Sequence, residues 1–382
     1  MKILLLMAIA FSGAFTVFAQ TWTTNAAPNL SWTSVASSAD GSRLAAVAFT
    51  GPVYTSTNSG LTWNTNASPI SGWKSIVLSA DGTILAACLQ SGLGYISTNA
   101  GATWQYFGHS GSFIALSADG FHLAVALSGS SIYVSTNFGA SWQTTTAPAK
   151  SWSCIASSAN GQKLVAAVAN EAIYTSSDFG NSWTSNSVPT KQWSAAAMSA
   201  DGNFAVVVAG MKNGSSGPIF LSTNSSASWF QANAPVTNWV SVAVSADGRK
   251  LFALVAGNSP DGPNPFYTST NYGLDWTTTS GPNAWWSSIA SSADGGKLIA
   301  AASLVYTTQT TMTPVLALDA TSGLQVSWII PSTNFVLQQN SDLTSTNWLV
   351  VPNVPALNLT NLQNQVMLPL PAGNNFYRLK AP

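Results

Sequence analysis

The sequence predicts an all-β fold: a seven-bladed β-propeller closed by its own N-terminal strand, followed by a small β-sandwich-like module. Three observations predict it. A tight turn, Ser-Ala-Asp-Gly, stands at Ser38–Gly41, Ser79–Gly82, Ser117–Gly120, Ser199–Gly202, Ser245–Gly248 and Ser292–Gly295, with Ser-Ala-Asn-Gly at Ser158–Gly161. An eight-residue box, typified by STNFGASW at Ser135–Trp142, runs in step with it at Ser56–Trp63, Ser97–Trp104, Ser176–Trp183, Ser222–Trp229 and Ser269–Trp276. A tryptophan stands eight residues ahead of the turn's Asp or Asn at Trp32, Trp73, Trp152, Trp193, Trp239 and Trp286, and only the third unit breaks the rule, with Gly111. The period, roughly 40 residues, is that of a four-stranded propeller blade.

In chain order, residues 1–19 read as an export signal. Lys2 gives the positive start, Ile3 to Phe15 the apolar run, and Val17 and Ala19 the cleavage site that leaves Gln20 first in the mature chain. The apolar run is too short to span a bilayer. The expectation is an exported, monomeric protein, extracellular or at the cell surface, with the periplasm as the alternative, and without membrane insertion.

Residues 20–311 hold the seven units. Strand a begins at the tryptophan. The Ser-Ala-Asp-Gly turn follows, its Asp bonding the turn and its Gly taking positive φ. Strand b is a run of small apolar residues such as Leu164–Val168, and strand c an I/V-Y-x-S pattern. The box then turns the chain into strand d. The seventh unit has Val305-Tyr306-Thr307 but no box after it. The missing strand lies at the other end, where Thr21-Trp22 is followed by the Pro-then-Trp spacing found after five of the six boxes (Trp142, Pro148, Trp152). The first mature residues therefore close the ring and remove its open edge. From residue 312 to 382 the repeat stops, and apolar runs broken by Pro, Asn and Gly form a small separate β-module.

Composition narrows the partners. Charged residues make up 6% of the chain and the net charge is zero, so there is no basic footprint for nucleic acid or anionic lipid. Cys88 and Cys154, in apolar runs two units apart, read as small buried hydrophobes. His109 and His122 are the only histidines; His122, beside a turn, reads as solvated. No Cys/His cluster has ligand spacing and no glycine-rich phosphate loop is present, so neither metal nor cofactor is expected.

The box resembles the Asp-box of sialidase-type propellers, which also occurs in sortilin-type receptors, xyloglucanases and photosystem II assembly-factor-like propellers. Here Asn takes the Asp position at Asn58, Asn99, Asn137, Asn224 and Asn271, with Asp only at Asp178; the closing tryptophans are Trp63, Trp104, Trp142, Trp183, Trp229 and Trp276. The resemblance implies a folding element on the face opposite any active site. The C-terminal segment, with FVLQQNSDL and FYRL, resembles fibronectin-III-like modules that end exported bacterial proteins.

A sialidase-like site would need an arginine cluster and a tyrosine–glutamate pair. Arg43, Arg249 and Arg378 are the only arginines and Glu171 the only glutamate, which excludes that chemistry. A generic glycosidase needs two carboxylates about 5 to 9 Å apart. With the turn and box aspartates assigned to structure, the propeller is left with Glu171 and Asp261, on the b–c loops of blades four and six. Binding is thus the leading reading, of a glycan or a protein or peptide, with a glycan-active hydrolase as the alternative.

The b–c and d–a loops share one rim, and there the repeat is irregular. Blades five and six carry additions at Gly210–Gly217 and Gly257–Pro265. Blade three replaces its tryptophan by Gly111, after a short loop with Tyr106, Phe107 and His109; blade seven doubles its aromatic at Trp285-Trp286. Tyr106, Phe107, His109, Asp261, Trp285 and Trp286 are therefore the candidate binding residues, since loops on a scaffold carry function. The six a-strand tryptophans admit two readings, a sugar-stacking rim or packing between blades, and repetition in every blade favours packing.

Overall fold

The computed structural model describes residues 21–68, 72–90, 92–210, 216–256, 265–279, 281–310, 314–320, 323–330, 335–370 and 374–380. Among them every regular element is a strand, and no helix is long and apolar enough to cross a membrane. The propeller is built from seven four-stranded antiparallel sheets. Blade one is typical, with strands Trp32–Ser37, Leu44–Ala48, Tyr54–Ser56 and Asn64–Thr65 in that order. Blade seven takes three strands, Ser288–Ser291, Lys297–Ala301 and Val305–Gln309, and a fourth, Trp22–Thr24, from the other end of the chain. Trp22 lies opposite Thr308 and Thr24 opposite Tyr306; Asn25 N–H then bonds Val305 O at 2.9 Å.

Each letter of the Ser-Ala-Asp-Gly turn has a separate task. The buried Ser38 Oγ donates to Asp40 Oδ1 at 2.6 Å and accepts the Arg43 N–H at 3.0 Å, while Asp40 Oδ1 accepts the Ser42 N–H at 2.9 Å. The glycines have φ between 66° and 78°, and a side chain of the preceding blade covers each one. A Cβ on Gly161, for example, would meet His122 Cβ at 2.6 Å, and one on Gly82 would meet Arg43 Cδ at 2.6 Å. His122 is therefore a wedge rather than a solvated side chain. It is half-buried, stacks on Phe179 at 4.8 Å between ring centroids, and has its imidazole pKa lowered by desolvation despite nearby Asp119.

The alanines close the ring. Ala39 donates its N–H to Ala80 O, Ala80 to Ala118, Ala118 to Ala159, Ala159 to Ala200, Ala200 to Ala246, Ala246 to Ala293, and Ala293 back to Ala39, all at 2.6–2.8 Å. Seven strands converge here, and a larger residue would crowd the axis. The centre is filled from elsewhere: Ile330, buried and flanked by Ile329 and Leu362, packs onto the alanine ring. These three belong to the C-terminal part, whose two antiparallel sheets have four and three strands around Leu324, Val326, Trp328, Leu337, Val351 and Val366. The C-terminal part thus stoppers one mouth of the propeller's central channel.

Between blades the core is apolar and repeated. Val47 and Val53 of blade one pack with Trp73, Ile76 and Leu89 of blade two. All six a-strand tryptophans are at most 3% exposed, so they are packing elements and not a stacking rim. Burying one removes about 150–250 Å² from water. Hydroxyls tie the inner strands: Ser34 Oγ accepts the Ile76 N–H at 3.2 Å, and Ser241 Oγ the Ile289 N–H at 3.1 Å. Cys88 and Cys154 are free and buried in such cores, and burial pushes the Cys154 thiol pKa up to about 12.

The boxes show why Asn replaces Asp without loss. Asn58 Oδ1 accepts from Ser56 Oγ and from the Thr62 N–H, both at 2.9 Å, and its Nδ2 donates to Thr62 Oγ1 at 2.8 Å. At Asp178 the first two bonds are the same, and the third reverses direction, with Ser182 Oγ donating to Oδ2 at 2.6 Å. A hydroxyl rotates to suit either partner.

Candidate binding site

The Ser-Ala-Asp-Gly turns and boxes occupy one face of the ring, and the b–c and d–a loops the other. The a-strand tryptophans brace this second face. Trp73 Nε1–H donates to Gly51 O at 3.1 Å, Trp152 to Ser130 O at 2.9 Å and Trp193 to Glu171 O at 2.9 Å, each acceptor lying in the preceding blade. A second tie joins the end of strand b to the residue before the tryptophan. Phe49 N–H bonds Ser31 O, and the same bond runs from Gln90 to Gly72, Ala169 to Ser151, Gly210 to Gln192 and Ala256 to Asn238, at 2.7–2.9 Å.

Blade seven has neither tie among the described residues. Its b–c loop folds on itself, with Ala302 N–H on Leu304 O at 2.9 Å, and strand a begins only at Ser288. Trp285, the residue that would have been tied, turns outward and is 73% exposed. Beside it an open pocket of about 350 Å³ lies between blades seven and one, lined by Asn29, Leu30, Ser31, Trp32, Trp285, Ser287, Ala302 and Ser303. Its lining is neutral throughout: two indoles, one amide, three hydroxyls and two aliphatic side chains.

The other expected site residues are dispersed. Trp286 is 2% exposed and packs against Trp22 and Tyr306 at 6.0 and 5.5 Å between centroids, so only the first member of the pair faces solvent. Phe107 is likewise interior, 5% exposed against Trp142, filling the space that the missing Cβ of Gly94 leaves. Both were expected at the surface, and interblade burial outweighs their position beside a loop. Tyr106 is exposed, and His109 is half-buried with its ring 3.8 Å from that of Tyr133. They sit on the outer strand of blade two, Gln105–Ser110, which is joined to blade three by Gly111 and Ser112 alone. That is a different seam from the Trp285 pocket, and the structure does not bring the two groups together.

Glu171 forms an ion pair with Lys150 at 2.6 Å across neighbouring blades, and its hydrogen bond and charge raise the Lys150 pKa. Asp261 lies outside the described residues, as do most of the two long loops. Among the described residues no group of three or more His, Cys, Asp or Glu side chains converges. The Trp285 pocket was half legible in advance: the doubled aromatic marked it, but the shortened blade-seven loop that opens it went unread.

No protein-family model and no curated protein matches the sequence. Solved structures do resemble the fold. YCF48 from Cyanidioschyzon merolae superposes with a TM-score of 0.58 at 14% identity, over 75% of this chain and 98% of that one. A YCF48 bound to D1 peptide gives 0.58 at 12%, over 77% and 98%. The GH74 enzyme of Niastella koreensis gives 0.61 at 15% identity, over 87% of this chain and 68% of that one. At such identities the likeness carries the architecture alone, and together with the repeated four-stranded sheets it establishes an all-β propeller.

Proposed function

We propose that the protein is an exported, non-catalytic binding or scaffold propeller that takes a glycan or a peptide on its loop-bearing face. The observation that carries the reading is Trp285, an indole 73% exposed beside an open, uncharged pocket. An exposed aromatic with neighbouring hydroxyls and amides is the usual makeup of a shallow recognition site, with an apolar platform and a few orienting polar groups. The repeated boxes support an Asp-box propeller, in which that face is the one left free. A solved neighbour, YCF48, holds a peptide.

The hydrolase reading is favoured by one finding, the likeness to a GH74 enzyme. It would draw on Glu171 and Asp261, and it asks Glu171 to leave its Lys150 partner. The deciding experiment is a screen of the mature protein against oligosaccharides and peptides for both binding and cleavage. Binding without turnover supports the proposal. Turnover abolished by Glu171→Gln or Asp261→Asn would replace it with the hydrolase, and absence of any ligand would remove the binding reading.

A further inference from the structure

We propose that the seam between blades seven and one is a carbohydrate subsite, in which a neutral pyranoside stacks on Trp285 and lends an oxygen to the indole N–H of Trp32. The inference rests on the binding reading above and names its site and ligand class. It starts from a length. The interval from turn glycine to strand-c tyrosine is the same in the first four blades: Gly41 to Tyr54, Gly82 to Tyr95, Gly120 to Tyr133, Gly161 to Tyr174. In blade seven, Gly295 to Tyr306 is two residues shorter.

The shortening falls in the loop that holds the acceptor. Gly51, Ser130 and Glu171, whose carbonyls take the tryptophan N–H in three seams, each stand eleven positions after the turn's Asp or Asn. In blade seven that position falls on Val305, whose carbonyl is bonded to the Asn25 N–H. Counted back from the strand-c tyrosine it falls on Ser303, whose carbonyl takes the Leu30 N–H at 3.1 Å, and neither accepts the Trp32 indole N–H. Trp32 is 2% exposed, and its Nε1 is buried without a hydrogen-bond partner. Trp239 and Trp286 share this state, but their seams face the two long loops that lie largely outside the described residues. The Trp32 seam is described in full, and there a pocket of about 350 Å³ adjoins the shortened loop.

Leaving a buried donor unpaired costs free energy, so an incoming oxygen that completes the bond gains by it. The lining selects what brings that oxygen. Asn29, Ser31, Ser287 and Ser303 both donate and accept, as the clustered hydroxyls of a sugar ring do. No charged side chain lines the pocket, which fits a neutral sugar. The exposed indole of Trp285 supplies the flat apolar surface that the C–H face of a pyranose covers.

The test uses the mature protein, an array of neutral gluco-, manno-, xylo- and galacto-oligosaccharides and a set of proline-rich peptides, with calorimetry on any hit. We expect an oligosaccharide to bind and Trp285→Ala to weaken it at least 10-fold with an unchanged melting curve. Trp32→Phe should weaken it about 3- to 10-fold, the worth of one hydrogen bond. Trp73→Phe, a volume-matched control whose N–H already has a partner, should leave affinity unchanged. Inserting two residues between Ser303 and Leu304 restores the length of blade one and should abolish binding while the protein stays folded. Sugar binding that survives the insertion and Trp285→Ala overturns the site but leaves the binding reading intact. Peptide binding that depends on Trp285, without sugar binding, overturns the ligand class. Silence on both arrays overturns the proposal and the binding reading together.

Discussion

On one face of the ring all seven turns, six Ser-Ala-Asp-Gly and one Ser-Ala-Asn-Gly, have the same length and the same backbone bonds; on the other, the b–c loops shorten in blade seven and lengthen in blades five and six. The difference follows from how many partners each residue serves. A turn serine bonds both its own Asp and a backbone N–H, the alanine belongs to a seven-member hydrogen-bonded ring, and the glycine lies under a side chain of the blade before it. Changing any one disturbs two blades. The b–c loops are held by an indole N–H, a backbone bond at the end of strand b and loop-to-loop bonds such as Lys150 N–H to Ser130 O. Among the described residues blade seven keeps only the last kind, Leu30 N–H to Ser303 O. Variation collects where the constraints are few, which is where binding surfaces also arise on repeat scaffolds.

The largest effect should come from breaking the ring on which both faces depend. Deleting Gln20 to Asn25 removes the fourth strand of blade seven, with Trp22 and its edge contact to Phe266 at 5.3 Å between centroids. The loss should exceed about 3 kcal/mol, on the scale of a core aromatic deletion, and expose an edge that associates. Thermal melts and light scattering check it, and melting identical to that of the mature chain would show the closure to be dispensable.

Next comes the stopper. Ile330→Ala should cost about 2–4 kcal/mol at the junction of the C-terminal part with the alanine ring. Protease sensitivity near residue 330 should rise, while affinity on the loop face holds. A fall in affinity equal to that of Trp285→Ala would mean that the two faces are coupled.

Acid should separate the faces as well. Burial works against the charges of Asp40, Asp81 and Asp178, but hydrogen bonds from Ser38 and Ser42, Ser79 and Thr83, and Ser182 and Ser176 outweigh it and lower all three pKa values. A lowered folded-state pKa gives stability that is present above the unfolded value, about 4, and is lost as pH falls through the folded one. The melting temperature should therefore drop below pH 4, and affinity at the uncharged pocket should stay flat from pH 7 to 5. A pH-independent melt would contradict the turn chemistry.

The smallest effect concerns a single box. In blade five Ser226 stands where the other boxes have Gly, at φ 65°. Ser226→Gly relieves a left-handed backbone at some cost in unfolded-state entropy, for a net gain of about 0.5 kcal/mol by denaturant titration. A loss would show that the serine's contacts outweigh its strain.

The sequence by itself determined the blade pattern, the turns and the closing strand. These rest on bonds spanning two to five residues, such as Ser38 to Asp40 or Asn58 to Thr62, and a local bond repeated in several blades leaves a visible period. Trp22 was legible for the same reason, because it completes a spacing found after five of the six boxes. What only the tertiary structure decided depends on residues far apart along the chain. Phe107 and Trp286 lie beside loops in sequence yet are buried by neighbouring blades, and His122 is a wedge because Gly161 of the next blade has no side chain. Ile330 finds the alanine ring only once seven turns, from Ala39 to Ala293, have converged on one axis. The unpaired Trp32 and the two-residue gap in blade seven stand at opposite ends of the propeller sequence, and only ring closure makes them neighbours.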